Sequence, residues 1–199
     1  MEMKFFRIFA FATFATFMLT LSTRTVAEEK CFSGNQETGE LAFSGAVEGT
    51  GFTGRFGEFS VRYCMPESGP VDGRIHVQVG LSSADTENRE RDETLKGEAF
   101  FAVEQYPDAT WDSGSITAQA AGYLAQGELE LKSIRAAQAV NFTLTPSGDD
   151  LLATGEFSMN GAAEVDRSLF NVGTGEFADP EFVRNRVDVS FEIRLLSAD

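Results

Sequence analysis

The sequence predicts an all-β protein of consecutive antiparallel strands with one short helical insert. Three observations carry this: apolar and polar residues alternate in eight segments, the connections are rich in Pro, Gly, Ser and Asp, and the alternation gives way to dense charge only once, around residues 82–111. The final strand shows the pattern most plainly. From Val187 to Leu195 the odd positions hold Val187, Val189, Phe191, Ile193 and Leu195, while Asp188, Ser190, Glu192 and Arg194 occupy the even ones. Successive side chains leave a pleated strand on opposite sides, so one face is buried and the other wet.

The chain opens with Lys4 and Arg7, an uncharged run from Ile8 to Leu21, and Thr25-Val26-Ala27 before Glu28. This reads as a secretory signal peptide over residues 1–27, leaving a single domain over 28–199 and a periplasmic or otherwise exported location. Strands follow at Glu40 to Gly49, Gly51 to Cys64 and Gly73 to Ser83. Gly45, Gly49, Gly51 and Gly54 mark either a sharp bend in the first hairpin or a widened mouth. In the third strand Ile75, Val77, Val79 and Leu81 oppose Arg74, His76 and Gln78, and Pro66-Glu67-Ser68-Gly69-Pro70 supplies the turn before it.

The insert comes next. Thr86 to Lys96 is charged, and Glu98 to Gln105 places Ala99, Phe100 and Val103 on one helical face, so two short helices are expected. Asp85 or Thr86 can cap the first, and Tyr106-Pro107 stops the second. Five further strands are read at Thr110 to Thr117, Tyr123 to Lys132, Ala137 to Thr145, Leu151 to Gly161 and Val187 to Leu195. Such strands close into a barrel or stack as a sandwich, and periodicity does not separate the two.

Composition narrows the function. The net charge is −15, and more negative without the leader, whose Lys4, Arg7 and Arg24 outnumber Glu2. Phosphate backbones and anionic headgroups repel such a surface, which argues against nucleic acid and against membrane adsorption or insertion after cleavage. Cys31 and Cys64 fall in the exported part, where pairing is the default expectation; free thiols or ligation are the alternatives, with no CxxC in the chain. No catalytic or metal-binding constellation emerges. His76 is the single histidine and lies on a polar phase, so no enzyme activity is expected. Phe43, Phe52, Phe56, Phe59, Trp111, Phe142, Phe157 and Phe191 lie on apolar phases; they either fill the interior or wall a tunnel.

A resemblance favours the second. Ser83 and Thr86 at a strand end, Arg91-Asp92, Leu95, Phe100-Phe101 and Tyr106-Pro107 occur in order, flanked by FTGRFGEF (52–59) and DRSLFNVG (166–173). In these motifs the chain resembles the YceI-like family of secreted, lipid-binding β-barrels. The resemblance implies an eight-stranded antiparallel lipocalin-like barrel, with the helical insert between strands three and four, and no cofactor beyond a bound isoprenoid or long-chain lipid. It implies a tunnel lined by Phe43, Phe52, Phe56, Phe59, Ile75, Val77, Val79, Phe100, Phe101, Trp111, Phe142, Phe157 and Phe170. Arg91 and Arg167 become candidates for a lipid headgroup, Arg91 having a solvated structural contact as its alternative. A membrane electron-transfer protein such as a cytochrome b561 is an implied partner. The competing readings are a filled barrel acting as an interaction partner and, behind it, a small hydrolase. The chain departs from the family at Leu129 to Arg135, where a Gly-x-Thr turn is usual, and in its first strand, which lacks a His.

Overall fold

The computed structural model describes residues 29–146 and 151–198; the signal-peptide reading and most of the 146–150 turn lie outside them. Among the described residues the strands are β1 (Glu29–Asn35), β2 (Gly39–Val47), β3 (Thr50–Phe56), β4 (Phe59–Pro66), β5 (Arg74–Gly80), β6 (Ala84–Asp85), β7 (Asp108–Gln119), β8 (Gly122–Leu131), β9 (Ile134–Thr145), β10 (Glu156–Asp166) and β11 (Arg186–Ser197), with one α-helix, α1 (Arg89–Lys96).

These eleven segments form eight staves. Both β1 and β2 run antiparallel to β11, with Phe32 opposite Ser197 and Ser44 opposite Asp188, so they are two lengths of one interrupted strand. β4 faces β1 and β3 faces β2, which makes 50–66 a second interrupted strand, broken at Gly57 and Glu58. β5 and β6 form a third across a short turn at Leu81–Ser83, since β5 pairs with β4 and β6 with β3. Each stave pairs with the next, and β11 returns to β1 and β2. The barrel is closed, and the insert lies between staves three and four.

The eight strands read from periodicity correspond to these staves with four corrections, one being that the third leaves the ladder at Leu81–Ser83 instead of running unbroken to Ser83. The first begins at Glu29 rather than Glu40. The second is broken, because Gly57 and Glu58 turn aside to bond Ser83 instead of continuing the ladder. The seventh runs from Glu156 to Asp166, later than expected, because Leu151 is drawn inside as a plug at 1% exposure and Gly155, at φ +72°, turns the chain before pairing begins.

The insert also differs from expectation. Asn88 caps α1, its side chain accepting from the Arg91 amide at 3.0 Å, because Asp85 is still engaged in β6. Thr86 is buried at 5% exposure and donates its amide and hydroxyl to Asp92 at 2.8 and 2.6 Å. No second helix forms. Gly97 ends the first helix, and Ala102 at φ +50° breaks the helical path, which lets the adjacent Phe100 and Phe101 both turn inward.

The core has two parts. At one end Phe32, Tyr63, Met65, Phe142, Leu144, Leu151, Phe157 and Leu195 pack solidly; the Phe32 and Phe157 rings lie 4.8 Å apart. Tyr63 is fully buried and donates its hydroxyl to Pro70 O at 2.8 Å; burial, with Tyr123 beside it, pushes its pKa up. At the other end Leu95, Phe100 and Phe101 of the insert cover Leu81, Ala84, Phe170 and Val172.

Candidate ligand-binding cavity

Between the solid end and the insert the barrel is hollow. An apolar cavity of about 240 Å³ is walled by all eight staves, and its only polar linings are Gln138, Arg167 and Arg184 among the described residues. Ten of the thirteen expected tunnel residues line it: Phe43, Phe52, Phe56, Phe59, Ile75, Val77, Val79, Phe100, Phe101 and Trp111. Leu129, Val140, Met159, Val165, Val187 and Phe191 join them. Their phases made them inward-facing; nothing local said which inward positions meet a void.

Three expected wall residues are elsewhere. Phe142 and Phe157 belong to the solid end, packed around Tyr63 at centroid distances of 6.3 and 6.1 Å. Phe170 sits in the 3-10 turn Arg167–Phe170 and packs against the insert cluster at 1% exposure. All three face inward, and the space they face is filled.

The aromatic walls stay clear of the lumen because several lie across glycines. Phe43 is opposite Gly54 on the neighbouring strand, and a Cβ there would meet the ring at 2.6 Å; Phe52 is likewise opposite Gly45. Trp111 reaches over Gly127, where a Cβ would come within 2.8 Å of the indole, and Phe191 covers Gly161 in the same way. A ring laid flat on an adjacent strand lines a cavity that the same ring, pointing radially, would fill. Gly45 and Gly54 of the first hairpin therefore seat wall residues, and Gly49 at φ +75° serves its turn. Gly127 and Gly161 are legible in the sequence only as glycines inside apolar strands.

Arg167 borders the cavity at 5% exposure, yet it is not a free headgroup ligand. Its Nε donates to Arg184 O, Nη1 to Val172 O and Gly173 O, and Nη2 to Phe177 O and Val183 O, at 2.6 to 3.2 Å. A guanidinium has five N–H groups, and all are engaged. Burial pushes its pKa down, partly offset by Asp166. The residue is a clamp that folds 172–184 over the end of the barrel. Lys132 adds a tether, donating to Asn171 O at 2.8 Å, with its pKa lowered by burial.

Arg91 and Asp92 do not pair with each other; both converge on Thr86. The Arg91 Nε donates to Thr86 Oγ1 at 2.8 Å and Nη2 to Thr86 O at 3.1 Å, and its guanidinium carbon lies 4.6 Å from the Phe52 ring centroid. It thus braces a wall ring from outside. Asn88, Glu90, Arg91 and Thr94 rim a mainly apolar recess that shares Phe52, Leu95, Phe100 and Val183 with the cavity. Cys31 and Cys64, opposite each other on β1 and β4, are joined by a disulfide on the outer phase of the solid end. His76 is on the exterior, 2.7 Å from Asp112.

The sequence profile of the YceI-like domain matches residues 32–195. A UPF0312 protein of Photorhabdus laumondii is 28% identical over 116 residues, 56% of this chain and 60% of that protein. One from Yersinia pestis is 29% identical over 97 residues, 49% and 50% of the two. The chain therefore spans only half to three-fifths of these relatives. Among solved structures, Burkholderia cenocepacia BcnA is similar with a TM-score of 0.70 at 23% identity, over 78% of this chain and 95% of that one. A polyisoprenoid binding domain from Saccharophagus degradans is similar at 0.58 and 13%, over 83% and 98%. These two likenesses are of fold. The profile, by contrast, runs from Phe32 in β1 to Leu195 in β11 and takes in every wall of the cavity, so the chain belongs to the YceI-like family.

Proposed function

We propose that the protein is an exported carrier or store for an isoprenoid or similar long-chain amphiphile, held with its tail in the barrel. The carrying observation is the hollow, almost wholly apolar half of a barrel whose other half is solid. Family membership supports the reading, as does the fold shared with a polyisoprenoid binding domain. An apolar tail gains about 0.8 kcal/mol for each CH₂ removed from water, which provides affinity with little polar specificity. The cavity is smaller than pockets for drug-sized ligands, roughly 300–1,000 Å³, so it suits a slender chain. Because one end is plugged, a polar head belongs at the other, beside Asn88, Glu90, Arg91 and Thr94. The reading involves no bond-making step. The leader-like N-terminus and the disulfide support export.

Organic extraction of protein purified from a membrane-containing host, followed by mass spectrometry, tests this. A stoichiometric lipid is expected. A clean blank, with no uptake of offered farnesol or geranylgeraniol, would sink the carrier and favour a partner-binding role.

A further inference from the structure

One line in the barrel wall is not zipped. β9 and β10 pair at five positions, from Thr145 opposite Ser158 to Asn141 opposite Ala162, and there the ladder stops. Both strands nevertheless continue toward the insert end. β9 stays paired with β8 down to Ile134, and β10 stays paired with β11 up to Asp166. The halves 134–140 and 163–166 therefore run as neighbours without main-chain pairing to each other.

The Gln138 side chain bridges this seam. Its Nε2 donates to Ala139 O at 2.9 Å on its own strand and to Glu164 O at 3.1 Å on β10. The tight Lys132–Ser133 turn directs the even-numbered main-chain groups of β9 to β8 and the odd-numbered ones toward β10, so one amide side chain stands where further rungs would be. Gln138 interrupts the apolar phase of β9, between Ala136 and Val140.

The wall is thin here. Outside lies a crevice lined by Ala137, Ala139, Ala162 and the half-exposed Leu169 and rimmed by the charged Glu164, Asp166, Arg186 and Asp188; inside lies the cavity, and Gln138, Ala163, Phe43 and Val189 border both. Elsewhere, parting two staves breaks several main-chain hydrogen bonds. At the seam it breaks the bridge from Gln138. The small alanines leave little bulk in the way, and Leu169 gives an arriving apolar chain something to rest on.

We propose that the β9–β10 seam is a lateral portal through which an apolar chain passes into the cavity, with Gln138 as its latch. This rests on the lipid-binding reading of the cavity and adds the route and the residue that controls it. A chain longer than the cavity enters sideways and does not have to thread past the insert.

Trp111 is the sole tryptophan and lines the cavity, so stopped-flow tryptophan emission on mixing with farnesol reports arrival. Gln138→Ala is expected to raise the uptake rate roughly fivefold, as loss of the one neutral hydrogen bond that crosses the seam would. Ala139→Cys with Glu164→Cys, oxidised to staple the seam, should slow uptake at least as much relative to either single-cysteine parent. A staple in the zipped half, Thr143→Cys with Asn160→Cys, should leave the rate unchanged. Independently of ligand, the Ala139 and Glu164 amides should exchange with deuterium faster than those of Thr143 and Asn160. A stapled seam that fills as fast as its parents, or equal protection of the four amides, overturns the portal while leaving the carrier standing. If farnesol moves the Trp111 signal in no protein and extraction is blank, the carrier reading fails, and the portal with it.

Discussion

The indole Nε1 of Trp111 donates to the main-chain carbonyl of Gln138 at 3.1 Å, reaching across Gly127 on the strand between them. This bond holds the largest wall ring flat and satisfies the one polar atom it carries into an apolar space. Gly127→Ala places a methyl against the indole and the Asp112 carbonyl. It should cost about 1–3 kcal/mol by overpacking and change the emission of the only tryptophan. Urea unfolding followed by fluorescence measures both; an unchanged midpoint and spectrum would show that the glycine is not required as a seat.

Arg167→Leu removes the donor to five carbonyls. The expected loss is on the order of 3–5 kcal/mol, since buried acceptors lose their partners together. Arg167→Lys should restore little of it, because an ammonium lacks the fork that reaches five acceptors. Thermal unfolding of the two variants checks this, and full rescue by lysine would refute the clamp.

Arg91→Ala should destabilise by about 1–2 kcal/mol through lost hydrogen bonds to buried Thr86 and lost support for Phe52. Farnesol affinity should fall as well, since Phe52 is a wall of the cavity. Unchanged stability with weakened binding would mean that Arg91 acts on the ligand alone.

Val77→Arg points a charge into the cavity and should abolish farnesol binding or folding, whereas His76→Ala, one residue away on the outside, should change stability by less than about 0.5 kcal/mol and binding not at all. Circular dichroism and the Trp111 titration separate these outcomes. Any measurable catalytic activity abolished by His76→Ala would revive the hydrolase reading.

Replacing Cys31 and Cys64 together by Ala should cost roughly 3–4 kcal/mol, the chain-entropy value for a separation of 33 residues, and leave ligand capacity intact. The bridge ties the solid end, away from the cavity. Loss of binding in a variant that remains folded would contradict that separation.

Much of the wall was legible because strand alternation is strict. Ile75, Val77 and Val79 had to share a face whatever the fold, and so did Val187, Val189 and Phe191. The misplaced rings fail for a physical reason: Phe142 and Phe157 satisfy the same inward rule as Phe43 and Trp111, and alternation carries no information on depth along the barrel. Arg167 misled for a related reason. Its place in the DRSLF motif made it a headgroup candidate, and nothing local shows that its five donors are taken by carbonyls up to 17 residues away. The second helix failed because Ala102 adopts a left-handed conformation, which local propensity disfavours and the burial of Phe100 and Phe101 favours.

By itself the chain's order of residues determined the strand count, the two faces of each strand, the place of the insert and the acidic exterior, because these follow from period-two patterning, turn chemistry and charge. Only the tertiary structure decided which half of the barrel is solid, which rings lie over glycines, and where β9 and β10 part. Those depend on how staves distant in sequence meet around a closed ring, and no local pattern encodes the space left between them.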